Sequence, residues 1–136
     1  VDWREDYVSA LKEAKQTSRP VFILFTNTKT CPYCIEGDQK IFSRHYFNKF
    51  SKADVIPLKV DFAPLFGTGK RVTRADFDRI QAEAKVPKEI KSESWPFVVL
   101  VSSDGKILHQ ETERGNTNPR KFVEKYQEII SQSAAQ

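Results

Sequence analysis

Val21-Phe22-Ile23-Leu24-Phe25, then the polar loop Thr26-Asn27-Thr28-Lys29-Thr30, then Cys31-Pro32-Tyr33-Cys34, is the stretch that decides the fold. An unbroken apolar run of this length predicts a strand buried on both faces, at the centre of a sheet covered by helices. The loop delivers the chain's two cysteines to the start of a segment that can be helical, with Pro32 suited to a first turn because its missing N–H wastes no donor. A pair of thiols three residues apart at a strand-to-helix junction is a dithiol centre before it is anything else.

Working outward, Trp3, Tyr7, Leu11 and Ala14 fall at helical spacing before Pro20, which stops a helix. After the cysteines, Phe42, Tyr46 and Phe50 recur at i, i+4 and i+8 with Ile41 beside them, predicting a helix or broken helix to about Lys49. Val55–Val60 reads as a second strand, and its internal Pro57 favours the start of the paired portion or an edge. The next strand is Phe97–Val101. Between these two the connection 63–94 is long, with a turn at Phe66-Gly67-Thr68-Gly69-Lys70 and a helix expected over Ala75–Lys85, opened by a Thr73/Asp76 capping pair. Asp104-Gly105 signals a hairpin. Asn118-Pro119 starts a final helix whose apolar face is Phe122, Tyr126 and Ile129/Ile130. Strands separated by helices and closed by an antiparallel hairpin imply an α/β fold with a central mixed sheet flanked by helices.

Composition fits one domain over residues 1–136: 39% of residues are hydrophobic and ten are Phe, enough for a real core. The net charge is +4 with a pI near 9.1, but basic and acidic residues are interspersed in both halves. The surface can favour acidic partners. The only short basic run, Lys70-Arg71-Val72-Thr73-Arg74, reads as a solvated helix approach, so no nucleic-acid partner is expected. No apolar stretch approaches the roughly 20 residues of a membrane span. With Val1 at the start and no Met anywhere, the chain reads as trimmed, by a signal peptidase or by deliberate truncation. That hint of export leads to an expected periplasmic or otherwise extracytoplasmic location.

Two cysteines closing so short a loop constrain little unfolded-state entropy, so stapling is a poor explanation for them. Structural zinc wants four ligands, and neither His45 nor His109 stands at finger spacing, so no metal is expected. A Cys-His hydrolase lacks a third orienting group. An inert buried pair is the remaining bland reading. The chemical one places Cys31 at the helix N-terminus, where free backbone N–H groups stabilise an anion, so that it attacks a disulfide and Cys34, a turn deeper, resolves the mixed disulfide. Tyr33 presents a ring to substrate. Trp95-Pro96, just before a buried strand, is either a cis X-Pro bond facing the thiols or an ordinary strand-edge proline with Trp95 in the core, and local sequence leaves both open.

Taken together, Pro20–Phe25, Cys31-Pro32-Tyr33-Cys34, Val60-Asp61, Trp95-Pro96-Phe97-Val98-Val99-Leu100 and Asp104-Gly105-Lys106 resemble the thioredoxin superfamily over nearly the whole chain. More narrowly, the helix before the first strand and the Phe-rich segment after the cysteines are similar to exported thioredoxin-like proteins related to the C-terminal domain of the bacterial transmembrane disulfide reductase. The resemblance implies a thioredoxin-like fold with an enlarged connection before the cis-proline strand, a nucleophilic Cys31, a resolving Cys34, a cis Pro96, and substrate pairing through the backbone of Trp95. The departures are specific. Cys-Pro-Tyr-Cys is the glutaredoxin dipeptide pattern, but the glycine pair for glutathione is missing. Phe25 stands where thioredoxins hold a buried acid, leaving water, Glu36 or Lys40 as proton relay. Thr30 replaces an aromatic residue, and Trp95 fills part of that space.

The resulting expectation is a monomeric thiol–disulfide oxidoreductase that needs no cofactor and reduces protein disulfides with an unidentified redox partner. The alternative is a non-enzymatic binding module on the same scaffold, suggested by Phe25, Thr30, Trp95 and the long connection.

Overall fold

The computed structural model describes residues 1–134. In chain order its main elements are α1 (Tyr7–Thr17), β1 (Val21–Thr26), α2 (Pro32–Gly37), α3 (His45–Ala53), β2 (Ile56–Asp61), α4 (Arg74–Glu83), β3 (Phe97–Val101), β4 (Ile107–Thr112) and α5 (Pro119–Ala134). The strands form one mixed sheet in the order β2-β1-β3-β4. β1 runs parallel to β2 and antiparallel to β3, which pairs antiparallel with β4. This is the α/β thioredoxin fold, a mixed central sheet flanked by helices.

β1 holds the centre because every one of its residues is buried. Period-two alternation sends Val21, Ile23 and Phe25 to one face, with α1 and the 63–94 connection, and Phe22 and Leu24 to the other, with α3 and α5. Phe22 lies within 5.2–6.5 Å, ring centroid to centroid, of Phe42, Phe47, Phe50, Phe122 and Tyr126. Such edge-to-face contacts add to simple area burial. The Asp104-Gly105 turn forms as expected, with Gly105 at φ 90°, a conformation that side-chain-bearing residues resist. At the other margin Pro57 sits in edge strand β2, and its carbonyl accepts a hydrogen bond from Arg4 N at 2.7 Å.

Three local expectations change. α1 does not reach Trp3: it starts at Tyr7 because Asp6 caps it, accepting from Ser9 N at 2.9 Å. Trp3 instead packs on the opposite face of the sheet, stacked on Phe47 at 5.8 Å. After the cysteines the chain takes the broken-helix alternative, passing from α2 through a π-helical stretch, Asp38–Phe42, to an extended Arg44 before α3, and what changes is the register beyond the break. The break resets the helical phase. Phe47, fully buried, takes the core position that i, i+4 spacing gave to Tyr46, and Tyr46 is 48% exposed. α4 keeps its predicted capping box between Thr73 and Asp76 but spans Arg74–Glu83 and buries no residue completely.

This packing makes Phe47→Ala cost about 3–5 kcal/mol in urea unfolding, the range for emptying an aromatic core site, while Tyr46→Ala changes stability by less than about 0.5 kcal/mol. Equal costs at the two positions contradict the broken-helix register.

Candidate active site

The loop between β1 and α2 is held by two side chains. Asn27 Oδ1 accepts from the backbone N–H of Lys29 (3.0 Å) and Thr30 (3.1 Å), and its Nδ2 donates to Thr30 Oγ1 at 2.6 Å. Asp61, paired beside Thr26 at the end of β2, accepts from Thr28 N at 3.2 Å, Thr28 Oγ1 at 2.6 Å and Ala63 N at 2.9 Å. The turn that presents the cysteines is therefore braced within itself by Asn27 and tied to β2 by Asp61. Thr30 is exposed at its rim.

Cys31 is the N-cap of α2: its sulfur accepts the backbone N–H of Cys34 at 3.2 Å. Both thiols are free, Cys31 half-buried and Cys34 buried. Removal from water pushes the Cys34 thiol up to about 11, and the adjacent Cys31 sulfur adds to the shift. The Thr26 hydroxyl and the Asn27 N–H, 3.4 Å from the sulfur, act in the opposite direction. At neutral pH Cys34 is a protonated reserve beneath an accessible Cys31. Glu36 is half-buried on α2 and Lys40 is exposed on the π-helical stretch. The polar groups that act on Cys34 are those of Cys31, Thr26 and Asn27. Phe25 is fully buried on the other face, stacked on Phe62 at 6.5 Å, and Thr26, one residue later, faces the α2 side in its place.

The Trp95–Pro96 peptide bond is cis. Trp95 does not lay its ring across the thiols. The indole stacks on Phe62 at 5.2 Å and meets Phe77 at 5.6 Å and Phe66 at 6.1 Å, so Phe62, directly after β2, and the long 63–94 connection together supply its packing. Its carbonyl turns the other way and accepts from the Cys31 thiol at 3.9 Å. Pro96 is fastened from behind, its carbonyl accepting Glu113 N at 2.8 Å. The Glu113 carboxylate is buried and accepts from Lys125 Nζ (2.6 Å), Tyr126 OH (2.5 Å) and Asn116 Nδ2 (2.5 Å). Burial raises its pKa in spite of those donors. Tyr33 is 47% exposed beside the thiols, under the guanidinium of Arg114, 5.2 Å from its ring centroid.

The sequence reading singled out the two cysteines, Tyr33, Trp95 and Pro96, and the fold brings these together. It gave no site role to Thr26, Asp61 or Arg114, although Asp61 stood among the residues that carry the resemblance. Alternation along β1 carried a signal for Thr26, whereas Asp61 and Arg114 reach the site only through strand register. His45 and His109 stand elsewhere: His45 is exposed at the start of α3, and His109 is bonded to Glu111 at 2.9 Å. Among the described residues no cluster of His, Cys, Asp and Glu is arranged to hold a metal ion.

A mixed sheet with a dithiol at the N-terminus of α2 facing a cis-proline loop defines a thioredoxin-type dithiol protein. The chain belongs to the thioredoxin-like domain family, whose model matches residues 7–130. It is 27% identical over 104 residues to the disulfide bond reductase DsbH of Chlamydia pneumoniae, a match covering 76% of this chain and 58% of that protein's length. Among solved structures, a DsbH oxidoreductase superposes with a TM-score of 0.70 at 21% identity, covering 96% of this chain and 85% of the other. The oxidised C-terminal domain of DsbD from Neisseria meningitidis gives a TM-score of 0.54 at 21% identity, covering 91% and 97%. Family and geometry together give a thioredoxin-like domain that carries a free cysteine pair at the start of α2.

The burial of Cys34 sets a pH dependence. Its thiol holds its proton in the folded protein up to about 11, against an ordinary value of 9.0, so between these pH values the unfolded chain binds fewer protons than the folded one. Stability of the reduced protein therefore falls as pH rises through this window. Urea unfolding at pH 8.5 and 10.5 should show a loss that Cys34→Ala reduces, the remainder belonging to the buried Tyr126 hydroxyl and other groups that titrate at high pH; an identical pH dependence in both proteins contradicts the burial effect.

Proposed function

We propose that this chain is a disulfide reductase for protein substrates, acting outside the cytoplasm as a monomer. The observation that carries the reading is the asymmetry of the pair: one accessible sulfur capping a helix and touching the Trp95 carbonyl, and one buried sulfur that keeps its proton. Residues 1–136 act as one thioredoxin-like domain in this account, with 63–94 as an extended connection that packs on Trp95.

The reaction follows from the geometry. Substrate backbone pairs alongside Trp95, next to cis-Pro96, while Tyr33 contacts the substrate surface. The Cys31 thiolate attacks one sulfur of the substrate disulfide, that S–S bond breaks, and the departing thiolate takes a proton from water. Cys34 then gives up its proton and attacks Cys31 Sγ. The mixed disulfide breaks, the second substrate thiol leaves, and two electrons have passed to substrate as Cys31 and Cys34 become a disulfide. A dithiol partner restores the pair. Departure of the Cys34 proton is the demanding step, because burial holds it. Water accepts it, with Glu36 or Lys40 as relay, and the Thr26 hydroxyl steadies the thiolate left behind.

Direction towards reduction is supported by the relative from Chlamydia pneumoniae, described as a disulfide bond reductase. Protein disulfides persist mainly in oxidising compartments, which favours an extracytoplasmic location for an enzyme that acts on them. The chain spans 58% of that relative's length, so the electron donor and the physiological substrate are left to experiment.

Insulin reduction driven by dithiothreitol tests the reading. Wild type should accelerate precipitation well above the dithiothreitol background, and Cys31→Ser should return it to background. Equal rates would sink the redox assignment in favour of the binding module. In the same assay Glu36→Gln combined with Lys40→Met should slow turnover by about tenfold, below the usual range for a lost proton-transfer group because water still takes the proton directly; an unchanged rate assigns the proton to water alone.

A further inference from the structure

The carbonyl of Trp95 is shared. The Cys31 thiol reaches it at 3.9 Å, and the Nε–H of Arg114 donates to it at 3.0 Å. Arg114 also lies over the Tyr33 ring, its guanidinium carbon 5.2 Å from the centroid, a cation–π contact that holds the side chain beside the cysteines. It is exposed, and among the described residues it makes no ion pair. The carboxylate next to it in the chain is not available, since Glu113 is buried and engaged by Lys125, Tyr126 and Asn116. Nε is committed to Trp95, which leaves the Nη groups as charged donors at the exposed rim of the site.

Building on the reductase reading, we propose that Arg114 is a specificity-determining residue that selects protein disulfides whose cysteine is flanked by a carboxylate side chain. A carbonyl oxygen has two lone pairs, so Trp95 can accept a substrate N–H while keeping Arg114 in place. A polypeptide laid along Trp95 then carries the residues beside its cysteine past the Nη groups, and guanidinium matches carboxylate by paired hydrogen bonds. A lysine flank at this position meets a like charge. The contribution is that of a partly exposed ion pair, about three- to fivefold in kcat/KM, and it enters through KM because the carboxylate is held equally before and during sulfur attack.

The test compares two disulfide-linked peptide dimers, Ala-Glu-Cys-Glu-Ala and Ala-Gln-Cys-Gln-Ala, with blocked ends, reduced by wild type and by Arg114→Gln. A double cycle over enzyme and peptide cancels the direct effect of the glutamates on the peptide's own thiol. The expected result is a coupling factor of about three to five at low ionic strength, carried by KM, and a wild-type preference that shrinks in 0.5 M salt, as exposed charge pairs do. Turnover of the Gln peptide by Arg114→Gln certifies that the variant folds, and the salt dependence of wild type stands without any variant. A coupling factor of one, or a preference insensitive to salt, overturns the inference while leaving the reductase reading intact. Failure of wild type to reduce either peptide, or insulin, overturns both.

Discussion

Burial of β1 on both faces is the constraint on which the rest of the structure depends. Because no residue of Val21–Thr26 can turn to solvent without exposing apolar surface, the strand's register against β2 and β3 is fixed, and a slip of one residue would exchange its two faces. That register decides which side Thr26 takes, and so what lies beneath the second cysteine. It also sets Asp61 beside Thr26, where its carboxylate ties down the loop that presents the first. The site inherits its geometry from a hydrophobic requirement some distance away.

Chemistry at the centre comes from dividing two identical thiols by environment. Cys34 is placed under the helix, where loss of solvent makes ionisation costly, while Cys31 caps that helix at the surface. The Trp95 carbonyl is the meeting point between this pair and the rest of the fold. Its ring is held by Phe62, Phe66 and Phe77, so the long connection, which supplies the last two, is an aromatic support for the Trp95-Pro96 loop. From the opposite side, Glu113 holds Pro96 through its backbone while its carboxylate binds α5 through Lys125 and Tyr126. Arg114 follows Glu113 directly, so its place over Tyr33 depends on the same anchor.

How much of this was legible in the sequence depended on the range of the signal. The central strand, the Asp104-Gly105 turn, the Thr73/Asp76 cap and the Asn118-Pro119 helix start are local rules, and the fold follows them. The cysteine spacing made the dithiol equally plain. The helix after the cysteines was not readable in detail, because its π-helical stretch and extended Arg44 place Phe42 and Phe47 against Trp3 and Phe22 from distant parts of the chain. Tyr46 and Phe47 are adjacent aromatics, and only tertiary packing decides which goes inside. Trp95 was ambiguous for the same reason: its ring belongs to the core while its backbone belongs to the site. Arg114 carried no motif at all and reaches Cys31's neighbourhood across the β3–β4 pairing.

The division of labour between the cysteines is the central claim, and trapping the covalent intermediate tests it most directly. A protein disulfide substrate incubated with Cys34→Ser should yield a stable mixed disulfide, which peptide mass spectrometry locates at Cys31, and Cys31→Ser should yield none. An adduct carried by Cys34 in the Cys31→Ser protein, or no adduct with Cys34→Ser, would contradict it.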